Sequence, residues 1–136
     1  MDTLLLAFGL GVSAGMRTFT APAAVLAARG YLAGYFVAAA AGAEYVMDLL
    51  PNTPSRTQLV GVFARVLSGA FSGYMLARFH GGPALWCALA GVAGSLVGTY
   101  GGHAARLGLI QRIGAVPAAL AEDAVAIALA IFIVTR

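Results

Sequence analysis

The sequence predicts an all-α fold, a polytopic membrane helix bundle of about five transmembrane helices in a single domain over residues 1–136. The first observation is composition: 61% of the residues are hydrophobic and 10% are charged, whereas soluble globular proteins are about a quarter charged. The second is that the apolar residues fall into windows of about 20, the length that crosses a bilayer core. The third is that short turns, with little room for a linker, separate these windows.

Five windows meet this length criterion, and they are Leu4–Ala28, Tyr31–Leu50, Leu59–Phe79, Pro83–Ala105 and Ala115–Val134. The breaks between them contain arginine, glycine or proline, and the longest of these breaks are 51–57 and 106–114. We therefore expect one compact bundle with hairpin connections.

The first window is irregular because Arg17, Thr18, Thr20 and Pro22 lie near its middle. Proline removes a backbone donor and crowds the preceding helical turn, so we expect a kinked or broken helix around Thr18–Pro22. At membrane depth such a break is tolerated only where protein or a cavity satisfies the freed backbone groups. The alternative is a shorter span followed by an interfacial helix, with Arg17 extending towards the headgroups.

Glycines repeat every four residues in several windows. Examples are Gly11 with Gly15, Gly69 with Gly73, and the series Gly94, Gly98 and Gly102. Small residues at this spacing allow two membrane helices to approach closely. With so few helices in the chain, we expect some of these faces to pair with another copy, which makes a homo-oligomer.

Ionisable residues gather on one side of the predicted bundle. Glu44 and Asp48 are four residues apart in the second window and so share a helix face. When five spans alternate in direction, these two acids, Arg65 in the third window, and Glu122 and Asp123 in the fifth fall in the same half of the membrane. Gly11–Gly15 ahead of Glu44 and Gly91–Ser95 ahead of Glu122 also form a weak inverted repeat, a common plan of transporters.

Two functions fit this gathering of charges. In the first, the charges line a one-sided vestibule of a transporter or channel for an ion or a small polar solute, since intramembrane ionisable residues are commonly functional. The predicted solute-binding residues are Arg17, Thr18, Thr20, Glu44, Asp48, Arg65, Glu122 and Asp123. In the second, the protein is a non-transporting membrane scaffold or assembly subunit. Glu44 and Asp48 then form structural ion pairs with Arg65 and Arg17, and Glu122 pairs with another arginine.

The turn between the second and third windows predicts an entrance to this vestibule. Thr53 is placed to cap a helix whose first residue is Pro54. The free N–H groups of that first turn, together with Ser55 and Arg56, are typical of an anion site at headgroup level. A plain capped turn whose arginine meets lipid phosphate is the simpler interpretation.

Other classes of function find little support. We find no metalloprotease, nucleophile-elbow or phosphate-loop motif, so no enzymatic activity or catalytic residue is predicted, although an intramembrane hydrolase that uses paired carboxylates is not excluded. Cys87 is the one cysteine, which rules out an intrachain disulfide, and no cofactor is expected. The net charge of +3 comes from scattered arginines, which does not favour nucleic-acid binding.

The predicted location is the inner, or plasma, membrane, with the lipid bilayer as the principal partner.

Three stretches carry a resemblance to a known family. They are Ser13–Pro22 (Ser-Ala-Gly-Met-Arg-Thr-Phe-Thr-Ala-Pro), Glu44 followed by Asp48–Thr57 (Asp-Leu-Leu-Pro-Asn-Thr-Pro-Ser-Arg-Thr), and Ala121–Ala124 (Ala-Glu-Asp-Ala). With these stretches the chain resembles a bacterial domain-of-unknown-function family of small integral membrane proteins, and the similarity covers nearly its whole length. The resemblance implies a membrane location and points to the same residues, but it implies no reaction and no substrate.

Overall fold

The computed structural model describes residues 2–48 and 58–136, with the side chain of Asp48 left out. Over these residues the chain forms six α-helices and no β-strand: α1 (Thr3–Met16), α2 (Thr20–Ala28), α3 (Leu32–Asp48), α4 (Leu59–His80), α5 (Ala84–Ile113) and α6 (Ala115–Val134). The all-helical prediction is therefore confirmed. By length and composition, three of the described helices, α4, α5 and α6, are able to cross a membrane, and α1 and α3 are shorter apolar helices.

The first predicted window contains two helices, α1 and α2. Arg17 follows α1 with extended backbone angles, φ −142° and ψ 115°, and helical geometry resumes at Thr20. Pro22 is the third residue of α2. In the first turn of a helix the missing N–H of proline has no intrahelical acceptor to lose, so Pro22 fits the start of a new helix better than the interior of a continuous one. The membrane path of α1, α2 and α3 stays a prediction, and so does the total of five spans.

The fourth window ends later than predicted. Helix α5 continues through the expected break at 106–114 and stops at Ile113, so that only Gly114 separates it from α6. The segment after Ala105 contains leucine, isoleucine, glutamine and arginine, which favour helix, and neither proline nor an aspartate cap interrupts it. Gly114 makes the turn with a φ of 91°, a conformation that glycine adopts without steric cost. At ~1.5 Å per residue, α5 is longer than a bilayer core is thick.

Helix α1 lies at the centre of the bundle, where it packs against α4, α5 and α6. Half of its residues are buried, and Leu6, Ala7, Leu10 and Ala14 contribute to the apolar core. Helices α2 and α3 form a hairpin at the side, in which α3 packs chiefly against α2. This arrangement puts the end of α1, and therefore Arg17, in the interior of the bundle.

Glycines lie where α1, α4 and α5 approach one another most closely. A Cβ atom on Gly11 would be 2.2 Å from the carbonyl oxygen of Gly91, and one on Gly91 would be 2.1 Å from that of Gly69. Gly15 faces the backbone of Ser95 in the same way, at 2.1 Å. These faces are occupied by helices of the same chain, so they are not open to a second copy. The homo-oligomer stays a prediction.

Candidate functional site

The break between α1 and α2 is surrounded by polar side chains from three other helices, α3, α4 and α6. Arg17, which is 1% exposed, forms an ion pair with Asp123 of α6. Its guanidinium carbon also lies 5.1 Å from the ring centroid of Tyr45 on α3, a cation–π geometry. An arginine at this depth needs such partners because a charge in an apolar interior is costly when it is not neutralised.

Glu44 of α3 binds the backbone of the break. The N–H of Thr18 donates a hydrogen bond of 3.0 Å to Oε1 of Glu44, and the N–H of Phe19 donates one of 3.3 Å to Oε2. These amides precede α2 and have no partner within a helix, and a carboxylate near a helix N-terminus is electrostatically favoured. Glu44 therefore satisfies the backbone groups that the break frees.

Two hydroxyl contacts complete the surroundings of the break. The hydroxyl groups of Thr20 and Tyr45 are hydrogen-bonded to each other, and Ser68 of α4 donates a hydrogen bond to the carbonyl oxygen of Thr18. Arg65, one turn before Ser68 on α4, is 8% exposed. We call this group of residues around the break the polar cluster: Arg17, Thr18, Phe19, Thr20, Glu44, Tyr45, Arg65, Ser68 and Asp123.

A cavity of about 190 Å³ lies next to the polar cluster, between α5 and α6. We call it the α5–α6 cavity, and its lining residues are Met16, Gly102, Ala105, Arg106, Leu109, Ala121, Glu122 and Val125. Glu122 is buried, and its Oε2 lies 3.6 Å from a guanidinium nitrogen of Arg106. The rest of the lining is apolar, apart from the thioether of Met16. Glu122 and Arg106 border the cavity, but nearly all of the surface that faces it is hydrocarbon.

A second, more open groove of about 250 Å³ separates α3 from α6 over the surface of α2. Alanine and isoleucine side chains form nearly all of its lining, and Thr20 and Tyr45 supply its polar groups. Its composition is that of a lipid-facing surface, so it adds no chemical group to the site.

Seven of the eight predicted solute-binding residues lie in the polar cluster or border the cavity beside it. They are Arg17, Thr18, Thr20, Glu44, Arg65, Glu122 and Asp123. The side chain of Asp48 and the predicted entrance residues Thr53, Ser55 and Arg56 lie outside the described residues.

The contacts of the charges differ in part from the expected ones. Glu122 lies beside an arginine, Arg106, whereas the ion pair of Arg17 with Asp123 was not among the expected pairs. Glu44, which was expected to pair with an arginine, accepts hydrogen bonds from the amides of Thr18 and Phe19. Thr18 takes part through its backbone N–H and carbonyl groups. Tyr45 and Ser68 were missing from the predicted set, although Tyr45 directly follows Glu44 and Ser68 shares the glycine-rich face of Arg65.

The described residues contain no group of three or more histidine, cysteine, aspartate or glutamate side chains that could hold a metal ion. No family model, curated protein or solved structure matches this chain. The resemblance described above therefore stays a prediction, and any function has to be argued from the polar cluster and the α5–α6 cavity.

Proposed function

We propose that this chain is a multi-pass protein of the plasma membrane that transports, or conducts, an ion or a small polar solute. The observation that carries the proposal is the cavity beside a buried charge pair: the α5–α6 cavity is bordered by Glu122, and Asp123, the next residue, pairs with Arg17 at the helix break. Membrane proteins bury ionisable groups at a cost and commonly use them on substrate or ion pathways.

The break itself supports the proposal. Discontinuous helices with exposed backbone groups near the middle of the membrane form the substrate sites of many secondary transporters. Here the break brings backbone amides, a carboxylate and a guanidinium together within the bundle, beside an open volume. The five spans predicted from the sequence require α1 and α2 together to act as one discontinuous span. Any homo-oligomer would form through faces other than the buried glycines, and Gly101 and Gly108 on α5 have open space around them.

Reconstitution of the purified chain into liposomes tests this function. Flux of protons, Na⁺, K⁺, chloride and small zwitterions is measured with wild type, Glu122→Gln, Glu44→Gln and the control Asp2→Asn, an acid-to-amide change at an exposed position. We expect flux of one solute in wild type and in Asp2→Asn, and at least a tenfold loss in Glu122→Gln. Absence of flux for every solute, from protein that remains folded in the liposomes, would overturn the proposal.

The scaffold function has its own supporting observation. Glu44 and Asp123 are already engaged by groups of the same chain, namely the amides of the break and Arg17. A scaffold would show no flux, and replacement of these acids would lower only the melting temperature. The flux experiment therefore separates the two functions, because a transporter shows flux in the wild type and loses it in Glu122→Gln, whereas a scaffold shows no flux in either.

A further inference from the structure

We infer that α1 and α2 form a re-entrant hairpin, which enters the membrane and leaves it on the side of the turn between α4 and α5. The hairpin holds the polar cluster at mid-membrane, and a solute reaches the cluster only from the opposite side. The inference rests on the proposed function for its biological role, because it names the side from which the solute enters. In place of five spans it gives four, provided by α3, α4, α5 and α6.

The outer ends of α1 and α2 lie at the same end of the bundle. Thr3, the first residue of α1, lies against Gly82 in the turn between α4 and α5, where a Cβ on Gly82 would be 2.9 Å from Cγ2 of Thr3. After α2, the guanidinium carbon of Arg29 lies 4.9 Å from the ring centroid of Phe79, and the ring of Tyr31 stacks on Phe79 at 5.9 Å. Phe79 is the penultimate residue of α4. Helix α1 therefore begins, and α2 ends, on the side of this turn.

The inner ends of α1 and α2 meet halfway along the longer helices. Ser68, which donates a hydrogen bond to the carbonyl oxygen of Thr18, is the tenth of the 22 residues of α4. Asp123, which pairs with Arg17, is the ninth of the 20 residues of α6. At ~1.5 Å per residue, α1 covers ~21 Å and α2 ~14 Å, and both lengths are less than the ~30 Å of a hydrocarbon core. Each helix thus spans only part of the membrane, and the chain reverses direction at the break between them.

The rest of the chain then crosses the membrane four times. Helices α4, α5 and α6 are long and apolar enough to span it, and α4 begins on the side opposite to Phe79. The connection from the end of α2 to the start of α4, which contains α3, must therefore cross as well. Asp2, Arg29 and Arg136 consequently share one side of the membrane. A single span made of α1 and α2 would separate Asp2 from Arg29.

The hairpin closes its own side of the bundle with apolar side chains. Leu10 of α1, Val25 of α2, Leu76 of α4 and Ile133 of α6 belong to one buried core, which lies between the break and the turn that joins α4 to α5. On the other side of the break the hairpin does not continue, and the α5–α6 cavity borders Met16, the last residue of α1. Non-helical backbone at membrane depth is tolerated where protein buries it or where it lines a cavity. A solute that avoids the apolar core therefore approaches the polar cluster from the side of the turn between α5 and α6.

The test joins each outer end of the hairpin to the end of α4 by cysteine cross-linking in membranes, which requires no knowledge of the orientation of the chain. The first pair is Thr3→Cys with Gly82→Cys, and the second is Tyr31→Cys with Phe79→Cys. The control pair, Thr3→Cys with Arg112→Cys, places the second thiol at the other end of α5. We expect a short bismaleimide to cross-link both test pairs at least tenfold more than the control. Cross-linking of only one test pair, or of neither, would overturn the inference.

A second arrangement of thiols keeps this test decisive if the Phe79 variant does not fold. Arg29→Cys with His80→Cys uses exposed positions next to the contact between Arg29 and Phe79. We expect the same tenfold excess over the control pair. A cross-linked first pair without a cross-link here would mean that α1 and α2 cross the membrane as one span.

Thiol reactivity tests the side of access. Ser68→Cys places a thiol at the polar cluster, whereas the native Cys87, the fourth residue of α5, is buried in the apolar core close to the turn between α4 and α5. A positively charged methanethiosulfonate, applied to both sides of the membrane, should modify Ser68→Cys at least tenfold faster than Cys87, and mass spectrometry distinguishes the two thiols. Equal rates, or no modification of Ser68→Cys, would overturn the one-sided access.

Cross-linking and flux together separate this inference from the proposed function. Cross-links in both test pairs without flux of any solute support the hairpin and overturn transport. Flux that requires Glu122, with only one of the pairs cross-linked, supports transport and overturns the hairpin.

Discussion

Arg17 at the end of α1 and Asp123 in the first half of α6 form an ion pair at the centre of the bundle, and Arg17 is almost fully buried there. The pair connects the break between α1 and α2 to α6, the helix that also carries Glu122. It therefore ties together the two features on which a function is proposed, the break and the α5–α6 cavity. The contribution of this ion pair to the free energy of unfolding can be measured directly.

Removal of one partner of this pair should destabilise the protein strongly. Arg17→Met leaves the carboxylate of Asp123 without its guanidinium, and loss of one partner of a buried pair costs about 3–5 kcal/mol. The double variant Arg17→Met with Asp123→Leu should be more stable than Arg17→Met alone, because neither charge then remains. Chemical unfolding in detergent measures both, with Arg78→Met at an exposed position as the control. A double variant that is no more stable than Arg17→Met alone would contradict a direct pair.

Glu44→Gln should loosen the break without unfolding the bundle. Glutamine retains one acceptor oxygen, so one of the two hydrogen bonds from Thr18 and Phe19 is lost and the other loses its charge assistance. Hydrogen bonds to charged groups contribute roughly 1.5–3 kcal/mol, and we expect a loss of about 1–2 kcal/mol. Hydrogen exchange should become faster at the amides of residues 18 and 19. Asp2→Asn is the matched control, and unchanged protection at both amides would argue against the capping role.

The sequence predicted the all-helical class and most residues of the polar cluster for an identifiable reason. Charges in an apolar chain are rare, and the alternation of antiparallel helices determines which of them fall on the same side. The partners of those charges were harder to predict. Arg17 pairs with Asp123, and Glu44 accepts hydrogen bonds from amides that lack helical partners only because the helix breaks there. Likewise, the hydrophobic pattern of the sequence does not predict that α5 continues to Ile113. This continuation is what lets α5 form one wall of a cavity with α6.

Replacement of glycine by alanine should lower the stability of the protein at one position of α5 and raise it at another. Gly91→Ala places a methyl group 2.1 Å from the carbonyl oxygen of Gly69, so α4 and α5 must separate and the protein loses stability. Gly108→Ala meets no atom within 4 Å, and the higher helix propensity of alanine should add up to ~1 kcal/mol. Melting temperatures of the two variants beside wild type measure the contrast. A stabilised Gly91→Ala variant would show that the helices do not approach this closely.

Two buried serines provide the last prediction, because they differ in whether the hydroxyl has an acceptor. Ser13 donates a hydrogen bond of 3.0 Å to the carbonyl oxygen of Ala126, which links α1 to α6. In the described part of the chain the hydroxyl of Ser72, which is equally buried, has no hydrogen-bond partner. Ser13→Ala should therefore cost about 0.6 kcal/mol, the average for a hydrogen bond between membrane helices.

Ser72→Ala removes a buried polar group and should leave the stability unchanged or raise it, because an unsatisfied hydroxyl in an apolar interior is unfavourable. Each substitution deletes a single oxygen, so the two variants differ little in the volume they vacate and their comparison isolates the hydrogen bond. Unfolding free energies from the same detergent titration give the difference. Equal losses in both variants would mean that the lost packing of the oxygen atom, and not the bond from Ser13 to Ala126, determines the stability of the contact between α1 and α6.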